Sequence, residues 1–129
     1  MLRYMDAATV VTELWTRMQA RDWTGVTELI APDAIIEWPV SGERFTGRAN
    51  YVEMNRTYPE GWEIRILRVI GAGDEAASEV EVPHKELGVY RAASFFTIRD
   101  GQIARGTEYW TAPGSEEPRP DRAAYAERI

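Results

Sequence analysis

Apolar residues recur at helical spacing at the start of the chain. Val11, Leu14, Trp15 and Met18 fall at i, i+3, i+4 and i+7, with Thr12, Glu13, Thr16 and Arg17 off that stripe. The pattern predicts a helix from about Ala7 to Ala20 with one buried face, capped by Asp6. Asp22 opens a second, shorter helix. It turns Val26, Leu29 and Ile30 inward and stops at Pro32, because the residue before a proline disfavours helical backbone. Ala34 to Trp38 reads as a short strand ended by Pro39, and Ser41-Gly42 as a turn. Thr46 is placed to cap a third helix from about Arg48 to Tyr58, with Tyr51, Met54, Asn55 and Tyr58 on one face.

The period then changes from helical to alternating. Glu63 to Gly71 is a strand whose parity blurs at Leu67-Arg68, the mark of a bulge. Ala76 to His84 follows, with Val80, Val82 and His84 on one side and Glu79 and Glu81 on the other. Gly88 to Ile98 places Tyr90, Ala92, Ser94, Phe96 and Ile98 on one face and Val89, Ala93 and Phe95 on the opposite one. Asp100-Gly101 is a hairpin signal, and Ile103 to Thr111 is the last strand. Pro113 begins a polar tail. Helices first and an antiparallel meander after them imply an α+β fold, with three N-terminal helices packed on a curved, mainly antiparallel sheet. The natural ligand site of such a fold lies between helices and sheet.

Composition narrows the function classes. At 129 residues, with 44% hydrophobic and 28% charged residues, the chain suits one globular domain. The formal net charge of −6 argues against a nucleic-acid partner, since phosphate contacts need a basic surface. No window is apolar enough to span a membrane, and Met1 to Asp6 lacks the long apolar stretch of a signal peptide. The absence of cysteine excludes disulfides, thiolate metal sites and thiol catalysis. A cytoplasmic location is the expectation. One histidine with scattered carboxylates lacks zinc-ligand spacing, so no metal is expected.

Several motifs in this order carry a family likeness: Asp22-Trp23, Ala31-Pro32-Asp33-Ala34, Glu37-Trp38-Pro39, Gly47-Arg48, Asp100-Gly101-Gln102-Ile103 and Glu108-Tyr109-Trp110. Over residues 6 to 112 the chain resembles the SnoaL-like branch of the nuclear transport factor 2-like superfamily, which includes polyketide cyclases and is related to ketosteroid isomerases. The resemblance implies a cone-shaped α+β barrel over residues 1–112 with a deep pocket. It also implies a homodimer through the outer sheet face. Residues 113–129 are then an extension packing on the domain or on a partner subunit, and the outward row of Val89, Ala93 and Phe95 is expected to be covered either by a dimer partner or by a tail helix around Asp121 to Ile129. The resemblance implies no cofactor.

The resemblance also locates chemistry. A ketosteroid isomerase of this family needs a carboxylate base where Trp38 stands, and oxyanion donors where Leu14 and Ser94 stand, so that reaction is not expected. The cyclases carry an acid/base Asp on the last strand, five residues after the Ile that follows the Asp-Gly turn. Counting from Ile103 puts Glu108 there, with Gly106, Ala104 and Trp110 sharing its parity. Glu108 is thus the leading catalytic candidate, with its pKa expected to rise in an apolar cavity. His84 is a candidate proton-transfer partner or, alternatively, a hairpin-edge histidine. Trp38, Trp110, Leu14, Trp15, Tyr51, Tyr58, Val80, Val82, Tyr90, Ser94 and Phe96 are the expected pocket lining, suited to a small hydrophobic molecule such as a polyketide or terpenoid. Arg65, Arg68, Arg91 and Arg105 do not share the pocket parity with two aspartates, which disfavours an epoxide-hydrolase arrangement. Two readings stay open. One is acid/base chemistry of cyclase, isomerase or dehydratase type on a carbonyl compound. The other is a non-catalytic binding or dimerisation module.

Overall fold

A computed structural model describes residues 5–129. Residues 1–4, which carry most of the argument against a signal peptide, lie outside the described residues. The chain runs as α1 (Ala7–Gln19), α2 (Trp23–Glu28), β1 (Ile30–Trp38), β2 (Glu43–Thr46), α3 (Arg48–Thr57), β3 (Arg65–Ala72), β4 (Glu75–His84), β5 (Gly88–Arg99) and β6 (Gln102–Thr111). The six strands form one sheet in the order β2-β1-β6-β5-β4-β3, antiparallel except for the parallel pair of β1 and β6. The edges β2 and β3 do not pair with each other, so the sheet is a cone left open. The three helices pack over that opening, and the expected α+β architecture is present.

Helix α1 is the lid of the core. Asp6 caps it by accepting from the Thr9 amide at 2.8 Å, and Val10, Val11, Leu14, Trp15 and Met18 are buried. It lies so close to β3 that a Cβ on Gly71 would stand 2.9 Å from Ala8 Cβ. Asp22 caps α2 as predicted, accepting from the Gly25 amide at 2.9 Å.

Three local expectations are corrected. First, α2 ends at Glu28 and β1 begins at Ile30, four residues earlier than predicted. Pro32 sits inside β1 where its register on β6 slips between Ile30 and Ile35, so its missing N–H costs the ladder nothing. Second, the cap of α3 is Gly47, at φ 90°, with no side-chain cap bond from Thr46. Thr46 instead ends β2, a short edge strand with three of its four residues exposed and no apolar alternation to announce it. Third, Ala104 is not on the inner row. Thr97 faces Arg105 and Ile98 faces Ile103, so Ala104 is the extra residue of a bulge, and Ile103 takes the inward position. The blurred parity at Leu67 is a bulge as read, between Ile66 and Arg68.

The tail does not form the expected helix. It holds a single 3-10 turn at Pro120–Arg122, and every residue from Pro113 to Ile129 is exposed. Nine residues without a packed apolar face are too few to hold a helix. The outer face of the sheet is therefore uncovered by the tail. Phe95 and Tyr109 meet there edge to face at 6.4 Å, 57% and 41% exposed. Arg65, Arg68 and Arg91 stand on the same face, paired to Glu81 and Glu79. Among the described residues no helix is long and apolar enough to cross a membrane.

Candidate active site

The inner face of the sheet carries an unusual row. Ser78 on β4, Ser94 on β5 and Glu108 on β6 are directly opposite one another across the two ladders. All three are buried, Glu108 to 1% exposure. Parallel pairing completes the site from the other side. One residue beyond the Glu37–Thr107 pair of β1 and β6 stand Trp38 and Glu108, and the Trp38 indole donates Nε1–H to Glu108 Oε2 at 2.9 Å. From α3, the buried Tyr51 hydroxyl donates to Oε2 at 3.1 Å and lies 3.3 Å from Oε1.

Burial governs the acidity of this carboxyl. Loss of hydration raises Glu108 from 4.5 to about 7, against the opposing pull of donors at Trp38, Tyr51, Ser94 and Trp110. Two of these donors are weak: Ser94 Oγ and Trp110 Nε1 face the carboxyl without a hydrogen bond of normal geometry. The hold on Glu108 is thus that of Trp38 and Tyr51. Tyr51 is itself pushed well above its ordinary value, first by burial and then by the neighbouring Glu108 charge. It remains a donor at any physiological pH. A carboxyl near pH 7 with two donors on Oε2 and, among the described residues, no cation paired to it can take or give a proton under neutral conditions.

A cavity of about 180 Å³ lies beside this group. The sheet contributes Trp38, Val82, His84, Tyr90 and Trp110; the helices contribute Trp15, Met18, Met54 and Asn55; the link into β3 contributes Tyr58, Trp62 and Ile64. Among the described residues, the lining holds no aspartate, glutamate, lysine or arginine. An engineered apolar cavity of about 150 Å³ holds benzene, so the space beside Glu108 accommodates roughly one ring and its substituents.

The expected lining is thus only partly present. Trp15, Trp38, Tyr58, Val82, Tyr90 and Trp110 do line the cavity. Leu14, Tyr51, Val80, Ser94 and Phe96 are buried behind it. The cause is Trp15. Its ring packs edge-on against Phe96 at 6.4 Å and Trp110 at 6.3 Å, and its Nε1–H donates to Ser78 at 2.9 Å, so it fills the deep end of the cone. Tyr51 acts as a donor to Glu108 rather than as a wall.

His84 lines the cavity but is not free to exchange protons with Glu108. Its Nε2–H donates to the Pro59 carbonyl at 3.0 Å, and Nδ1 accepts from the amides of Glu86 at 3.0 Å and Leu87 at 3.2 Å. Both nitrogens are spent on backbone, which fixes the ring as the neutral Nε2–H tautomer. Gly61 at φ 123° lets the link pass close by, since a Cβ there would stand 3.0 Å from the imidazole. The hairpin-edge reading of this histidine is the one its contacts support.

Sequence reasoning missed Met18, Met54, Asn55, Trp62 and Ile64 in the lining. Met54 and Asn55 were visible on the apolar face of α3, but nothing local tells a cavity wall from core. Trp62, just ahead of the predicted strand, forms a single bridge with His84. Arg21, at φ 59°, stacks over the Trp62 ring at 3.3 Å, donates to the Trp62 carbonyl at 2.7 Å and pairs with Glu60. Among the described residues no group of histidine and carboxylates is arranged to hold a metal.

Solved structures place this geometry in context. A protein of Kribbella flavida DSM 17836 provisionally named a ketosteroid isomerase is 29% identical, with a TM-score of 0.88 over 95% of this chain and 89% of that one. A protein of Pseudomonas putida KT2440 provisionally named a polyketide cyclase is 28% identical, with a TM-score of 0.65 over 83% and 92%. An NTF2-like protein of unknown function from Burkholderia xenovorans LB400 is 25% identical, with a TM-score of 0.74 over 94% and 93%. No curated protein matches the chain. The model of the SnoaL-like domain matches residues 11–106, a span that holds α1 through most of the sheet and stops two residues short of Glu108. With the helix-covered open cone and the open-edged sheet already described, that match makes the chain a member of the SnoaL-like domain family.

Proposed function

We propose that this protein is a cofactor-independent acid/base enzyme of cyclase, isomerase or dehydratase type, acting on a small apolar carbonyl compound, with Glu108 carrying the proton. The observation that supports it is the buried carboxyl itself: raised to about 7 by desolvation, held by two donors, and set beside an apolar cavity. In the common step of these reactions the carboxylate removes a proton from the carbon next to the carbonyl. The C–H electron pair moves to the carbonyl oxygen as an enolate, and the carboxylic acid then gives the proton to a conjugated carbon in an isomerase, to the oxygen of the carbonyl that the enolate attacks in a cyclase, or to the departing hydroxyl as water in a dehydratase. The cavity volume favours a single-ring substrate over a tetracyclic one. Trp38, Leu14 and Ser94 supply none of the base and oxyanion groups of a ketosteroid isomerase. The uncovered Phe95 and Tyr109 face supports a homodimer as the working form.

The test is solvent exchange. Single-ring ketones incubated in D2O should lose α-proton NMR signal faster with wild type than with Glu108→Gln. Equal rates in the two proteins, with a ketone that both bind, would remove Glu108 from the chemistry. One observation favours a second reading, a non-catalytic binding module: the carboxyl does not itself line the cavity. Binding of such ketones with no exchange in either protein would establish that reading.

A further inference from the structure

Glu108 and the cavity are neighbours that do not touch. The carboxyl is 1% exposed, and the residues hydrogen-bonded to it are Trp38 and Tyr51. Tyr51 is buried behind the cavity; Trp38 lines it. Among the described residues Trp38 is therefore the one side chain that both hydrogen-bonds the carboxyl and faces the cavity. Its position is also less enclosed than that of a core indole. Trp38 is the last residue of β1, and the turn that follows is exposed from Val40 to Gly42. Its ring is only half-buried and rests on Phe45 of the edge strand β2, at 4.9 Å. By contrast Trp110, the other indole beside Glu108, sits on the central strand β6 and is wedged between Trp15 and Trp38.

We propose that the Trp38 indole is a movable wall: in place it closes the cavity at one ring, and swung outward it joins the cavity to the Glu108 carboxyl and admits a larger ligand. Trp38 is then the specificity-determining residue of the site and the positioning residue for Glu108. The structure as described is the closed arrangement. A ligand that displaces the indole removes its N–H from Glu108, and to leave no buried group unpaired it must either donate a hydroxyl to the carboxylate or offer a carbonyl that accepts from the protonated acid. That requirement selects carbonyl or hydroxyl compounds over plain hydrocarbons. The inference deepens the proposed function and rests on it for its purpose. Its test reads titration and binding rather than turnover, so it can fail while the Glu108 chemistry stands.

The probes are acetophenone, with one ring, and 2-acetonaphthone, with two. Wild type, Trp38→Phe and Trp38→Ala are compared by carboxyl-carbon NMR titration of Glu108 and by calorimetric binding of both ketones. The two variants should move the Glu108 midpoint in opposite directions. Phenylalanine keeps a ring in the wall but removes the donor, so the midpoint rises. Alanine opens the wall to water, so the midpoint falls toward that of an ordinary glutamate. Alanine should also shift relative affinity toward the two-ring ketone by about tenfold. A fall in stability alone would move both midpoints the same way. An alanine variant with an unmoved or raised midpoint and an unchanged affinity ratio overturns the proposal. Should that variant not fold, the wild type still decides. Saturating 2-acetonaphthone must release the Trp38 indole N–H from Glu108, seen as an upfield shift of its proton resonance. An unmoved resonance under saturation overturns the proposal equally.

Discussion

Replacing Glu108 by glutamine while varying pH tests the burial argument most directly. In the folded protein the carboxyl titrates near 7; in the unfolded chain it returns to about 4.5. Between those values the folded state holds a proton that the unfolded state has lost, so stability falls as pH rises through this window. At about 1.4 kcal/mol per pH unit, the span from 4.5 to about 7 makes the charged Glu108 roughly 3 kcal/mol more costly to the fold at pH 8 than at pH 4.5. Glutamine has nearly the same shape and no charge. Its side-chain oxygen accepts from Trp38, and Tyr51 can turn its hydroxyl to accept from the amide. The variant thus lacks this particular slope. Urea unfolding of both proteins at pH 5, 6, 7 and 8 isolates the effect, because Asp6, Asp33, Glu53 and Glu60, each held low by a hydrogen-bond partner, contribute equally to both. The stability of Glu108→Gln relative to wild type should climb by about 2.5 kcal/mol from pH 5 to pH 8. A flat difference would mean that Glu108 is hydrated or paired, and the acid/base proposal would lose its physical basis.

Other substitutions separate structure from chemistry. His84→Ala should cost about 2–3 kcal/mol by orphaning two amides and the Pro59 carbonyl, while leaving the Glu108 midpoint in place; a moved midpoint would restore the proton-transfer role. Gly71→Ala should lose roughly 1–3 kcal/mol, since the new methyl meets Ala8 at 2.9 Å, and a neutral result in thermal melts would show that α1 can slide. Phe95→Glu should turn a dimer into a 14.7 kDa monomer in sedimentation; a wild type already monomeric at tens of micromolar would show that the outer face is not the interface. Arg21→Ala removes the cation over Trp62 and the tie to Glu60, and should weaken acetophenone binding several-fold with Glu108 unaffected; unchanged binding would mean that the cavity wall does not depend on this clamp.

Much of the site was legible because strand parity survives error. The bulge at Ala104 displaces that residue but not Gly106, Glu108 or Trp110, so counting from Ile103 still reaches a buried glutamate. The alternation of β4 and β5 likewise gives the inner row correctly, because each apolar position follows at a period of two. What failed was long-range. That Trp15 fills the cone, and so hides Ser94 and Phe96 from the cavity, depends on how deeply α1 sits. That depth is set in part by Gly71, a residue some fifty positions away that carries no pattern of its own. The fate of His84 depends on the carbonyl of Pro59 and on the turn after β4. The strand β2 escaped notice because a charged edge strand has little hydrophobic signal.

The parallel pairing of β1 with β6 has a consequence for how this protein is made. Trp38 and Glu108 are 70 residues apart in sequence, and the contact closes nearly the whole meander into one loop. Such a closure carries an entropy cost that local helices and hairpins do not face. A chain still emerging from the ribosome, or cut before β6, has α1, α3 and their apolar faces but no carboxyl to set between them. The Trp38 to Glu108 hydrogen bond can therefore form only once β6 has been made and laid against β1.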